Sequence, residues 1–233
     1  MTVGLEERIR NYQTRLAADT GSWRTGYKLF QTDKRHPGKL FTLYINADQP
    51  LEMQKWLPAE VGPMKDETHV ATTRGLGGKA ALRPGWHLNE TAPYVKHIYT
   101  ADKQDKNVHY LQDGCVWAEV QYKTNVDYSD AAALEGINRK GVVVPKNAQL
   151  RVVPKNGFYR YKTNANQPEP WIIAGDIRIV RVLDDAEVAS LCEKAGYTDY
   201  LKRNPEKPMD FEQFAGCQRQ RLSKDVSAVD SGR

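Results

Sequence analysis

Three cysteines in 233 residues are too few to staple a fold. Cys115, Cys192 and Cys217 are odd in number and widely spaced, which excludes a disulfide framework and zinc-ligand spacing and leaves ordinary reduced thiols. Long apolar runs are missing as well, so no segment is suited to cross a bilayer and no membrane partner is expected. Met1 to Arg10 lacks the apolar stretch of a secretory signal, and a cytoplasmic protein is expected. No His pair stands at i, i+4 spacing with a Glu. The Gly-rich run Arg74-Gly75-Leu76-Gly77-Gly78-Lys79 lacks the G-x-x-x-x-G-K-[ST] spacing of a phosphate-binding loop. No metal site is expected, and Lys65 to Ala80 reads as a mobile surface loop.

What is present is the composition of a globular protein. A hydrophobic content of 40% supplies one sizeable core, so residues 1–201 are expected to form a single domain, with 202–233 as a partly disordered arm. The net charge of +5 favours encounter with nucleic acid or an acidic partner without requiring either.

Along the chain, Leu5, Ile9, Tyr12 and Leu16 form one stripe of an amphipathic N-terminal helix. Tyr27 to Phe30 and Lys39 to Ile45 read as a β-hairpin. Trp56 and Leu57 are expected to plug the core, where Pro58 and Pro63 forbid a long helix. Asp102 to Asp113 reads as a charged loop. Cys115 to Tyr122 alternates cleanly, with Val116, Ala118 and Val120 on one strand face and Trp117, Glu119 and Gln121 on the other. A small helix is expected around Ala131 to Leu134. Gly141 to Pro145 and Ala148 to Pro154 read as edge strands stopped by prolines.

The clearest signal lies in Gly157 to Val188. Phe158 to Thr163 alternates aromatic residues with cations, Asn164 to Pro170 is turn-rich, and Trp171 to Ile173 enters a second strand that pairs with the first. Ala174-Gly175-Asp176 interrupts it before a third apolar run from Ile177. Trp171, Ile172, Val180, Val182, Val188 and Leu191 are expected in the core. Asp184 and Asp185 then cap a short helix that Gly196 ends. The chain is thus expected to be α+β: a twisted, mostly antiparallel sheet with an N-terminal helix, a short late helix and a C-terminal arm.

The segment Leu82 to Leu88 is the most unusual local cluster. Arg83 precedes Pro84, Gly85 permits a sharp bend, and Trp86-His87 offers an aromatic wall beside a group that titrates near neutral pH. It reads either as a turn that stacks a nicotinamide or a base, or as a core tryptophan with a satisfied histidine.

The blocks GYKLF, GKLFTLYINAD, RPGWHLNETAPYVKHI, VWAEV, GFYRYKTN and WIIAGDIRIVRVL, between Gly26 and Leu183, resemble a family of proteins carried by bacteriophages and other bacterial mobile elements. More distantly, the layout is similar to an ADP-ribosyltransferase fold. That resemblance implies NAD as cofactor, with Lys28 (or Tyr27), Arg83 and Trp86 as cofactor-binding residues and His87 and Glu169 as catalytic ones. A carboxylate at Glu169 would stabilise positive charge on the ribose as nicotinamide departs, an aromatic would stack on the ring, and a cation would grip the pyrophosphate. The chain has no Ser-Thr-Ser stretch, and Glu169 lies between Pro168 and Pro170.

A different class of function stands beside it: a non-enzymatic phage protein that binds nucleic acid or a host protein. Arg151, Lys155, Arg160, Lys162, Arg178 and Arg181 are interleaved with Tyr159, Tyr161 and Trp171, a pattern that can track a backbone and stack bases. Arg160, Lys162 and Arg178 are its leading residues. A solvated sheet face explains the same pattern.

Overall fold

The computed structural model describes residues 21–44, 46–61, 70–71, 80–81, 83–94, 99–101, 109–111, 114–142, 144, 148–162 and 169–197. The expected N-terminal helix, the Gly-rich loop, Cys217 and the C-terminal arm lie outside them. In chain order the strands are β1 (Trp23–Thr32), β2 (Leu40–Phe41), β3 (Trp56–Pro58), β4 (Val70–Ala71), β5 (Ala80–Ala81), β6 (Trp86–Leu88), β7 (Tyr99–Ala101), β8 (His109–Leu111), β9 (Cys115–Lys123) and β10 (Val126–Asp127). Helix α1 (Ser129–Glu135), β11 (Gly157–Tyr161), β12 (Trp171–Ala174), β13 (Asp176–Val182) and α2 (Asp185–Lys194) follow. The class is α+β, as expected, and most strand pairs are antiparallel. Among the described residues no helix is long and apolar enough to cross a membrane.

Five strands form one sheet in the order β2-β1-β9-β13-β3, four form another in the order β10-β11-β12-β6, and β4-β5 and β7-β8 are two-stranded. The described residues divide into two compact units. One draws on the described residues within 21–28, 53–92 and 119–181, the other on those within 29–52, 93–118 and 182–197, and β1, β9 and β13 contribute to both.

In the first unit, β11 and β12 pair antiparallel, Tyr159 opposite Ile173 and Tyr161 opposite Trp171, which is the pairing the alternation predicted. The core on one side of this sheet joins Tyr159, Tyr161 and Ile173 to Tyr128, Ala132 and Leu150, with Trp171 packed at its margin. Burying each large side chain contributes about 1.5 to 3 kcal/mol. β10 runs parallel to β11, and Gly157 makes that approach possible: a Cβ there would overlap the Val126 carbonyl.

In the second unit, α2 carries the predicted acidic cap. Asp184 accepts from the Glu187 amide at 2.8 Å, and the Glu187 carboxylate accepts from the Asp184 amide at 3.0 Å. Val188 and Cys192 are its buried residues, and Tyr94 stacks on Tyr197 with ring centroids 4.4 Å apart.

Several expectations are corrected. On β13 the buried residues are Ile177 and Ile179, whereas Val180 and Val182 are half-buried, because strand alternation turns Ile177 and Ile179 to one face and Val180 and Val182 to the other. Trp171 and Leu191 are half-buried rather than core. The loop expected at Asp102 to Asp113 contains β8. The edge strands expected at Gly141 to Pro145 and Ala148 to Pro154 are not strands among the described residues, and this segment is anchored instead by turns such as the Val144 amide on the Gly136 carbonyl, 3.2 Å.

Candidate functional site

β6 follows directly from Arg83-Pro84-Gly85. Gly85 takes φ +142°, a conformation open to glycine, and a Cβ there would overlap the Ile173 side chain. The bend delivers the next three residues as an edge strand against β12, with Trp86 opposite Ala174, His87 opposite Ile173 and Leu88 opposite Ile172. The expected turn is therefore a strand, and this changes its chemistry. Consecutive strand residues leave opposite faces, so His87 joins the face of Ile173, Trp171 and Tyr161 while Trp86 leaves from the other. Trp86 and His87 do not form one wall.

The His87 ring meets Trp171 edge to face, centroids 6.3 Å apart at 71°. Its Nδ1 lies 3.2 Å from the Gly85 carbonyl oxygen. A carbonyl only accepts, so Nδ1 carries the hydrogen and Nε2 is left as an acceptor. Burial, then the charges of Arg83 and Lys28, push its pKa down to about 3 against the opposing pull of the Gly85 bond. At neutral pH the imidazole is uncharged. Arg83 lies with its guanidinium carbon 4.8 Å from the Tyr161 ring centroid and has no carboxylate partner among the described residues.

Lys28 has a different role from the one the resemblance implies. Its ammonium donates to the His87 carbonyl at 3.0 Å and sits 5.4 Å from the Trp86 ring centroid, so it caps an edge-strand carbonyl. Burial pushes its pKa down to about 8. Trp86 is likewise committed, since its indole N–H donates to the Leu57 carbonyl at 3.0 Å. Glu169 is half-buried and stands two residues before Trp171, at the entry to β12. Arg83 and His87 thus gather beside Tyr161 and Trp171, and Lys28 and Trp86 do not.

The three leading cations of the nucleic-acid pattern are not one stripe. Arg160 is on β11 and Arg178 is on β13, in different sheets. Arg160 pairs with Asp127 at 3.1 Å and Glu90 at 3.6 Å, and Arg178 donates its Nε to Gln121 at 2.8 Å. Lys162 has no partner among the described residues. Trp56 carries two cations over its ring, Lys123 at 5.6 Å and Arg178 at 5.3 Å.

Two features had no clear signal in the sequence. Glu90 accepts from the buried Tyr122 hydroxyl at 2.8 Å and from Arg24 at 3.3 Å, besides pairing with Arg160; desolvation first and then Glu90 raise the Tyr122 pKa. A cavity of about 280 Å³ is lined by Glu135, Gly136, Ile137, Gln149 and Arg151, residues from two separate stretches. Among the described residues there is no cluster of three or more His, Cys, Asp or Glu able to hold a metal. Compared with known proteins, the chain matches no family model, no curated protein and no solved structure.

Proposed function

We propose that the first unit is a nucleotide-binding module that takes NAD, as part of an ADP-ribosyltransferase-like protein of a bacteriophage or mobile element acting in the bacterial cytoplasm. One observation carries the reading: Arg83, a cation without a carboxylate partner among the described residues, lies beside a neutral imidazole, whose second nitrogen is an acceptor, and the rings of Tyr161 and Trp171. A nucleotide presents the complement, an anionic phosphate for the guanidinium, an aromatic ring for the indole and hydroxyl donors for Nε2. Trp171 takes the stacking role first given to Trp86, and Arg83 the phosphate role shared with Lys28.

In transfer, the bond between ribose C1′ and the nicotinamide nitrogen breaks and nicotinamide leaves with the bonding pair. The acceptor nucleophile then forms the new bond to C1′ and releases its proton to solvent. Glu169 would face the positive charge that builds on the ribose. Titration calorimetry of the full chain with NAD, and with a short single-stranded DNA in parallel, tests the reading. Saturable NAD binding, weakened about tenfold or more by Arg83→Gln, is expected. Absence of heat with NAD would sink it.

A second reading, nucleic-acid binding, is favoured by the cations over Trp56 and by Lys162, which has no partner among the described residues. Salt-sensitive DNA binding that Lys162→Glu weakens would raise it above the first.

A further inference from the structure

Glycine at position 26 lets two strands of the first unit approach each other: a Cβ there would overlap the Leu88 side chain and press on the Asn89 carbonyl. Directly after it, β1 meets the end of β6 in two backbone hydrogen bonds, the Tyr27 amide on the Asn89 carbonyl at 2.6 Å and the Asn89 amide on the Tyr27 carbonyl at 2.9 Å. Backbone groups alternate in direction along a strand, so the His87 carbonyl points to the same side as that of Asn89, toward β1. The next bond across comes from a side chain: the Lys28 ammonium donates to the His87 carbonyl at 3.0 Å.

The ammonium is confined there. The Trp86 ring lies 5.4 Å from it, and that ring is itself held by the bond of its indole N–H to the Leu57 carbonyl. Burial lowers the Lys28 pKa to about 8, so at neutral pH the group is still largely charged and its bond to the carbonyl is charge-assisted. The backbone of His87 is thus held from β1, while its ring is set by Nδ1–H on the Gly85 carbonyl and by the edge of Trp171. β11 and β12 turn the aromatic rings of Tyr161 and Trp171 to that face. Arg83 and Lys28 supply the charges that act on the imidazole after burial.

We propose that Lys28 is a positioning residue of the nucleotide site: its ammonium clasps β6 to β1 at the His87 carbonyl and thereby fixes where the imidazole presents Nε2 to the ligand. The role rests on the nucleotide reading of that face, and Lys28 acts through His87 rather than on the ligand. Its bond sets the position of the residue. Its charge, beside that of Arg83, disfavours a second positive charge on the ring and so keeps Nε2 an acceptor.

The test compares the full chain with Lys28→Met, which keeps an apolar stem on Trp86 but loses donor and charge, and with Lys28→Arg, which keeps both. NAD affinity is read by titration calorimetry, and the His87 imidazole by NMR through an acid titration of the free protein. Lys28→Met is expected to bind NAD more weakly by about threefold or more. In the same variant His87 should titrate above the wild-type value of about 3, and Lys28→Arg should bring both readings back toward the wild type. A side chain that only packs on Trp86 would leave the His87 titration in Lys28→Met where it was. Should Lys28→Met fail to fold, Lys28→Gln, which keeps an N–H donor without the charge, carries the same expectation for the imidazole. An unchanged affinity or an unchanged His87 titration on loss of the charge, or no recovery in Lys28→Arg, would overturn the role of Lys28 and leave the nucleotide reading standing. A wild type silent toward NAD would overturn the nucleotide reading and this role with it.

Discussion

Acid should destabilise the first unit through His87. Its folded pKa is held near 3, against 6.5 for an unperturbed imidazole. Because the folded value is the lower one, the unfolded chain takes the proton first. Stability is fully present above about pH 6.5 and falls as the pH drops toward 3. The whole shift corresponds to at most about 5 kcal/mol, of which about 2 kcal/mol is lost between about pH 7.5 and pH 5. Carboxylates titrate in the lower part of this range, so the measurement is a difference against His87→Phe, which keeps an aromatic ring beside Trp171 and cannot protonate. Urea unfolding of both proteins at fixed ionic strength should show the wild type losing about 2 kcal/mol more than the variant over that interval. Parallel pH dependences, or an imidazole titrating above about pH 6 by NMR in the folded protein, would refute the desolvated, Arg83-facing placement of the ring.

Lys28→Met should remove a slope of opposite location. With the folded pKa near 8 against 10.5, the unfolded chain holds the proton more tightly between those values, so wild-type stability rises with pH through that window by at most about 3 kcal/mol; the variant should be flat there by thermal unfolding. Gly85→Ala forces a side chain into φ +142° and into Ile173, and should cost about 2 to 4 kcal/mol in urea unfolding; an unchanged midpoint would contradict the register of β6. Asp184→Ala removes one half of the capping box of α2 and should cost about 1 kcal/mol, seen as a melting temperature lower by roughly 2 to 4 °C where unfolding is cooperative.

Local signals were legible in the sequence wherever one residue type has one physical use. Alternation predicted β9 and β11, the apolar run from Trp171 predicted β12 and its pairing with β11, and Asp184 with Asp185 announced the start of α2. The inward face of β13 was not legible, because which parity is buried depends on partners far away in the chain. The site was half legible for the same reason. Arg83-Pro84-Gly85-Trp86-His87 stood out by composition, but whether Trp86 and His87 act together depends on the segment being a strand, and three residues carry too short a period to say so. Glu90 with Tyr122, and Gln149 with Arg151 opposite Ile137, are juxtapositions of segments that only the fold brings together.

The opposed faces of β6 also make the nucleotide reading testable without measuring activity. Arg83 is the first charge that holds His87 below its ordinary pKa, after burial itself. A phosphate bound at Arg83 would cancel that repulsion, so the His87 pKa should rise when an anionic ligand occupies the site, and by linkage the ligand should bind more tightly as pH falls toward that pKa. Arg83→Gln should produce the same rise in the free protein, after which NAD has nothing further to cancel. The His87 imidazole, followed by NMR through an acid titration, should therefore move upward from about 3 with NAD in the wild type and show no added movement with NAD in the variant. Saturable NAD binding that leaves the His87 titration unchanged would place the phosphates away from Arg83, and with them the whole assignment of this face.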